Sequence, residues 1–259
     1  MKKLTPGMHI RVVSPSASIE HIGGFEANLA AKERLEKLGF TVSFSEHYLE
    51  NDMLGSASIE SRVADIHAAF SDDSVDAILA TIGGFNCNEL LPYLDFELIA
   101  RNPKIFCGYS DTTALLSAIY SKTGMKTYMG PSYSSFKMDA LQDYQTESWL
   151  KAVSQTSYEL TPSEKWGDNA WYLPDAPLTF HETEWKVYHH GQAQATAIGG
   201  NLSTFSLLRG TPYAPTDENY VLFVEEAEED DYVEFDRNLA ALLQAYPDPV
   251  SYTHLTLPT

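Results

Sequence analysis

The feature that most constrains this chain is an alternation of short apolar runs with longer amphipathic ones. Ile10-Arg-Val-Val-Ser14 is a β-rich run ended by Pro15. Residues 25–38 then place Ala27, Ala31, Leu35 and Leu38 on one helical face, with Gly39 as a stop. Phe40, Val42 and Phe44 alternate like a strand with one buried face. Ile59, Val63, Ile66 and Phe70 recur at helical spacing, and His67 beside that face reads as packing rather than chemistry. Ala77 to Ile82 is a continuous apolar run leading straight into Gly83-Gly84. Such alternation predicts an α/β fold with a largely parallel sheet covered on both faces. In sheets of this kind, sites lie beyond the C-terminal ends of the strands, where Gly83-Gly84 falls.

The stretch Lys104-Ile-Phe-Cys-Gly-Tyr-Ser-Asp-Thr-Thr-Ala-Leu-Leu116 falls there too. It reads as an apolar strand, a sharp turn at Gly108-Tyr109-Ser110, and a helix opening at Asp111. A serine on such a turn is lifted toward a substrate, and the amides of the helix start face the same point. The letters are G-x-S-x-T, so the turn has the geometry of a nucleophile elbow without the lipase signature. Two readings stay open on this stretch alone: a serine that caps a helix, and a serine that attacks.

Composition narrows the function. The chain has 259 residues and a net charge of −19, from 17 basic against 36 acidic side chains. A surface this acidic repels phosphate backbones, so a nucleic-acid polymer is not an expected partner. No apolar run approaches the ~20 residues of a membrane span, so no membrane partner is expected. The basic N-terminus lacks a signal-peptide core. Cys87 and Cys107 give neither a disulfide nor a zinc pattern, which suggests a reducing cytoplasm. No metal and no cofactor are expected.

The C-terminal half is looser. Trp166, Trp171 and Trp185 lie among Pro, Gly, Asp and Asn in residues 160–186, which read as a crossover. The tryptophans either pin that crossover onto the body or wall a planar ligand. From Val187 to Ile198 the chain is strand-like, Gly199-Gly200-Asn201 turns it, and Leu202 to Leu208 is a short helix. Tyr220-Val-Leu-Phe-Val224 is a strongly apolar strand, and the acidic cluster of residues 225–231 after it reads as a solvated loop. Phe235, Leu239, Leu242 and Leu243 mark another helix, closed by Pro247. The expected division is an N-terminal α/β nucleophile domain (1–160), a tryptophan-containing linker (161–186) and a smaller C-terminal α/β domain (187–259). Residues 251–259 do not continue the pattern, and the reading here is a truncated chain or a foreign end.

Several blocks, in order, resemble the serine LD-carboxypeptidase family, especially its microcin C immunity peptidase-like branch. They are Val12-Val-Ser-Pro-Ser16, Ala80-Thr-Ile-Gly-Gly-Phe-Asn-Cys-Asn88 with Leu91-Pro-Tyr-Leu-Asp95, and Gly108-Tyr-Ser-Asp-Thr-Thr-Ala-Leu115. Then come Gly199-Gly-Asn-Leu202 with Gly210-Thr-Pro-Tyr213, and Leu222-Phe-Val-Glu-Glu226 with Phe235-Asp-Arg237. The resemblance implies a Ser-Glu-His triad, with Ser110 as nucleophile and Glu225 as the acid that orients an imidazolium. Glu226 is the alternative if the register slips by one, although an alternating strand would point it away. It further implies an oxyanion hole from the backbone N–H groups of Gly84 and Asp111, and a substrate contact at Asn201.

The family's histidine lies well downstream of the glutamate, in a segment expected beyond residue 259. His254 comes too soon after Glu225, and His181, His189 and His190 match nothing catalytic. The general base therefore stays unassigned, and the chain as it stands is expected to be inactive if its triad is incomplete.

The expected function is serine carboxypeptidase-type hydrolysis of a small peptide or a peptidyl or aminoacyl nucleotide. In the second case Trp166 and Trp171 would stack on the base. The alternatives are a murein tetrapeptide LD-carboxypeptidase of cell-wall recycling and a non-catalytic small-ligand domain that keeps the elbow as an anion cradle. A homodimer is implied by the resemblance alone.

Overall fold

The structure is a computed structural model that describes residues 2–167, 178–226, 232–247, 249 and 251–254, the last four as backbone. Its main sheet has five parallel strands: β1 (His9–Val13), β2 (Thr41–Phe44), β3 (Ala77–Ala80), β4 (Ile105–Gly108) and β5 (Tyr128–Met129). They lie in the order β2-β1-β3-β4-β5. The chain steps one way from β1 to β2 and the other way from β1 to β3, so the strand order reverses between β1 and β3. Their C-terminal ends open the crevice where α/β sheets bind ligands. Every residue of β3 and β4 is buried, as a central parallel strand covered on both faces requires.

The covering helices follow the sequence pattern, with one break. The expected helix over 25–38 is two pieces, α1 (Gly24–Ala27) and α2 (Leu29–Lys37). Asn28 separates them because its side-chain amide donates to the carbonyls of Ile22 and Gly24, at 3.1 and 2.7 Å. Ala27 is exposed as a result, and Phe25 instead packs edge-on against Phe44 at 5.3 Å. The third helix, α3 (Ile59–Ser71), buries Ile66 and Phe70 as its spacing predicts. His67 accepts the Asp95 backbone N–H at 2.9 Å, and burial lowers its pKa, so it is a neutral packing residue. The remaining helices of this half are α4 (Phe96–Arg101), α5 (Thr113–Thr123) and α6 (Gln142–Ser154).

Beyond the short antiparallel pair β6 (Lys165–Trp166) and β7 (His181–Glu182), a second sheet of three parallel strands forms. It comprises β8 (Thr196–Asn201), β9 (Tyr220–Glu225) and β10 (Ser251–His254), with β9 central. Its helices are α7 (Leu202–Ser206) and α8 (Tyr232–Ala245). Three expectations are corrected here. Residues 187–195 are not strand, and Gly199-Gly200-Asn201 continues β8 rather than turning it. Residues 251–254 do extend the pattern, because their backbone pairs in parallel with β9.

The apolar core does not stop between the two sheets. One cluster joins Ile66, Phe70, Ile78 and Phe106 to Leu115 and Ile119 of α5, and through them to Ile198, Phe205, Leu222 and Val224. Each such side chain stabilises the fold by about 1.5–3 kcal/mol relative to exposure. The helix that follows the elbow is therefore also the floor of the second sheet. Among the described residues, no helix is long and apolar enough to cross a membrane.

One ion pair at the sheet's rim gives a pH prediction. His47 Nδ1 bonds to Asp65 at 2.8 Å, and that bond raises the His47 pKa above 6.5, opposed by partial burial and aided by the charges of Asp65, Glu46 and Glu50. The raised folded-state pKa makes the pair stabilising below the unfolded value of about 6.5, and the contribution is lost as pH rises through the folded value. We predict that His47→Asn lowers the melting temperature more at about pH 5.5 than at about pH 8.5. Equal losses at both pH values would refute it.

Candidate active site

Ser110 is the first residue of a 3-10 turn (Ser110–Thr112) that joins β4 to α5. Its φ is +55°, a left-handed conformation that costs a non-glycine residue about 1–3 kcal/mol and is kept where the surroundings impose it. The surroundings here are tight. A Cβ built on Gly83 would lie 2.8 Å from Ser110 Cβ and 3.0 Å from its Oγ. One built on Gly84, at φ +153°, would overlap Ser16 Oγ and sit 2.7 Å from the Ala17 nitrogen. The ends of β1, β3 and β4 thus converge on the serine, and only glycine backbone fits between them.

Two buried charges hold that convergence. The Asp111 carboxylate accepts the Ser16 hydroxyl and, at 2.8 Å, the Cys87 backbone N–H. Burial raises the Asp111 pKa, while these hydrogen bonds and the Arg62 charge pull it down. From α3, Arg62 donates to the Pro15 carbonyl at 3.2 Å and to both oxygens of Asn86 at 3.1 Å. It also meets Glu89 at 3.0 Å. Asn86 in turn donates to Ser56 at 2.6 Å. The sequence reading did not single out Arg62. The available signal was a charge four residues before Ile66 on the apolar face of α3, a position that demands buried partners.

The second sheet brings its own residues to the elbow. Asn201 ends β8, in register with Glu225 at the end of β9, and both are buried. The Asn201 backbone N–H donates to Thr113 Oγ1 at 3.0 Å, and Gly200 passes so close to Thr113 that an added Cβ would sit 2.6 Å from its hydroxyl. The Tyr109 phenol, next to Ser110 in sequence, has its pKa pushed up to about 12. Burial is the main cause, hydrogen bonds from Ser132 and Ser135 oppose it, and the Glu225 charge adds to it.

Glu226 departs from expectation. It is buried and is not turned out to solvent, and it accepts Asn201 Nδ2 at 3.0 Å with the Ser203 N–H and hydroxyl at 3.1 Å. Neither Glu225 nor Glu226 belongs to a solvated loop; residues 227–231 of that acidic cluster lie outside the described ones. Asn201 also caps α7, its Oδ1 accepting Thr204 N–H at 3.0 Å and Ser203 Oγ at 2.9 Å.

Other candidates are less central. Trp166 is 37% exposed on β6, its ring 4.8 Å from that of His181 across the pair. Trp171 lies outside the described residues. His189 and His190 are exposed. The backbone of His254 is in register with Val224. Both thiols are buried with raised pKa values, Cys107 to about 12, so neither is a reactive nucleophile in the folded chain.

Comparison with known proteins places this geometry. The LD-carboxypeptidase N-terminal domain profile matches residues 10–130 and the LD-carboxypeptidase C-terminal domain profile matches 194–246. The carboxypeptidase-named protein YocD of Bacillus subtilis (strain 168) is 47% identical over 93% of this chain and 74% of its own length. The crystal structure of an MccF-like protein from Bacillus anthracis superimposes with TM-score 0.90 at 46% identity, covering 94% of this chain and 75% of that one. The microcin C7 self-immunity protein MccF of Escherichia coli is 32% identical over 85% of this chain and 70% of its own. The structure of MccF with glutamyl sulfamoyl guanosine matches at TM-score 0.90 and 29% identity, over 99% of this chain and 81% of that one. The reading as a non-catalytic ligand domain gives way to these matches. The chain belongs to the LD-carboxypeptidase family and is a serine carboxypeptidase-type enzyme.

Proposed function

We propose that Ser110 attacks the carbonyl of a small acyl compound and breaks its bond to the leaving nitrogen, which departs protonated, forming an acyl-enzyme that water then hydrolyses to the free acid and Ser110. The observation that carries this reading is the left-handed Ser110, wedged against Gly83 at the mouth of α5. On this reading the N–H groups of Gly84 and Asp111 receive the oxyanion, and Glu225 orients and charge-stabilises the general base. No described side chain is assigned as that base. Residues 1–160 carry the nucleophile, 161–186 connect, and 187–259 supply the acid. Asn201 offers its remaining Nδ2–H to the substrate, and the segment of Trp166 and Trp171 supplies a stacking wall.

For the substrate we infer an aminoacyl or peptidyl nucleotide met in the cytoplasm. Support comes from the likeness to MccF, solved with glutamyl sulfamoyl guanosine. The family's LD-carboxypeptidase description favours a murein tetrapeptide as the second reading. The test is a comparison of glutamyl sulfamoyl adenosine and a murein tetrapeptide, followed by mass spectrometry with Ser110→Ala as control. We expect release of the amino acid from the nucleotide at least about tenfold faster in kcat/KM, the size of a well-made pocket's preference. Faster loss of the terminal D-residue would transfer the assignment to the tetrapeptide. Release from neither, or release that survives Ser110→Ala, would overturn the hydrolase reading.

A further inference from the structure

Arg62 stands on α3, and the hydrogen bonds of its guanidinium go to the segments that follow β1 and β3. Its side chain is 2% exposed, and it grips both the segment after β1, at Pro15, and the segment after β3, at Asn86 and Glu89. Asp111 grips the same two segments, at Ser16 and Cys87. Just before these anchor points in the chain come Gly83 and Gly84, held against Ser110 and Ser16. We propose that Arg62 is a positioning residue for the reaction: with Asp111 it clamps the loop of residues 83–87, so that the loop's amides are fixed before substrate arrives. The inference rests on the proposed oxyanion role of Gly84.

The physical reason lies in how such donors work. Amides stabilise an oxyanion only if they already point at it, because reorientation during the reaction consumes the gain. A glycine pair without side chains cannot fix its own direction, so the direction must be imposed from outside. A buried guanidinium suits that task, since its planar fork addresses several carbonyls at once and stays charged at every working pH. Lysine offers one point charge and cannot span Pro15, Asn86 and Glu89 together. Phe85, in the middle of the loop, is 90% exposed, so its ring adds no packing that could hold the loop in place of the clamp.

The test uses Arg62→Met, Arg62→Lys and wild type, on folded protein checked by thermal melting. Two readouts are taken: amide hydrogen exchange of residues 83–88, and kcat and KM on glutamyl sulfamoyl adenosine. The clamp predicts exchange at 83–88 faster by at least about tenfold in Arg62→Met, with α5 unchanged. It predicts a kcat loss of about 10²-fold, the size of losing one oxyanion donor, with KM within threefold. Arg62→Lys should fall between. Unchanged exchange at 83–88, or a kcat per folded molecule within threefold of wild type, would overturn the clamp, as would a loss entirely in KM. If wild type turns over no substrate, the hydrolase reading fails, and the exchange result still decides whether Arg62 holds the loop.

Discussion

Ser110→Ala is expected to lower kcat by about 10⁴-fold or more while leaving the fold within about 1 kcal/mol of wild type. The first part follows from the proposed role, because Asp111, Thr112 and Thr113, which follow Ser110 on the elbow, are buried whereas Ser110 is only half-buried. A loss of that size corresponds to about 5.5 kcal/mol of transition-state stabilisation. The second part follows from the backbone. Alanine is strained at φ +55° much as serine is, so the strain does not change with the substitution. Ser110→Gly goes further: it is equally inactive, but it should gain about 1 kcal/mol, since glycine adopts that conformation freely. Progress curves and thermal melts on the three proteins decide the matter. Activity of Ser110→Ala within tenfold of wild type would end the nucleophile assignment, and a destabilised Ser110→Gly would end the strain argument.

Gly199→Ala should have the largest effect on stability, a loss of about 4 kcal/mol. Gly199 sits on β8 at φ +123°, and an added Cβ would overlap the carbonyl oxygen of Phe223 and lie 2.8 Å from its carbonyl carbon. Both atoms are backbone of the central strand β9, so no rotamer change relieves the clash. The second sheet shares its core with α5, so the damage should reach the elbow. Gly191 is the matched control, because a Cβ there meets nothing within 4 Å. Gly191→Ala should stay within about 0.5 kcal/mol of wild type in chemical denaturation. Similar midpoints for the two variants would show that β8 shifts to accommodate the methyl group.

Both predictions turn on residues that the sequence marked, yet for reasons it marked only partly. Gly199-Gly200 was expected as a turn because paired glycines usually punctuate. It is a strand paired with β9, and it is glycine because the backbone of Phe223 beside Gly199 and the Thr113 side chain against Gly200 leave no room for a Cβ. Likewise, alternation along β9 suggested that only one of Glu225 and Glu226 would face inward. The strand ends at Glu225, so alternation no longer governs its successor, and Glu226 turns in to meet Asn201 and Ser203.

What the sequence determined alone is the local part: the amphipathic face of α3, the buried strands β3 and β4, and the turn that lifts Ser110. These depend on spacing and on glycine, properties of neighbours along the chain. The tertiary structure decided what brings distant segments together. Arg62 and Asp111 lie 49 residues apart in the chain and hold the same two loops, and Thr113 receives the amide of Asn201, 88 residues away. Those pairings arise because buried charges and hydroxyls must find partners wherever packing places them, and no periodicity along the chain encodes where that is.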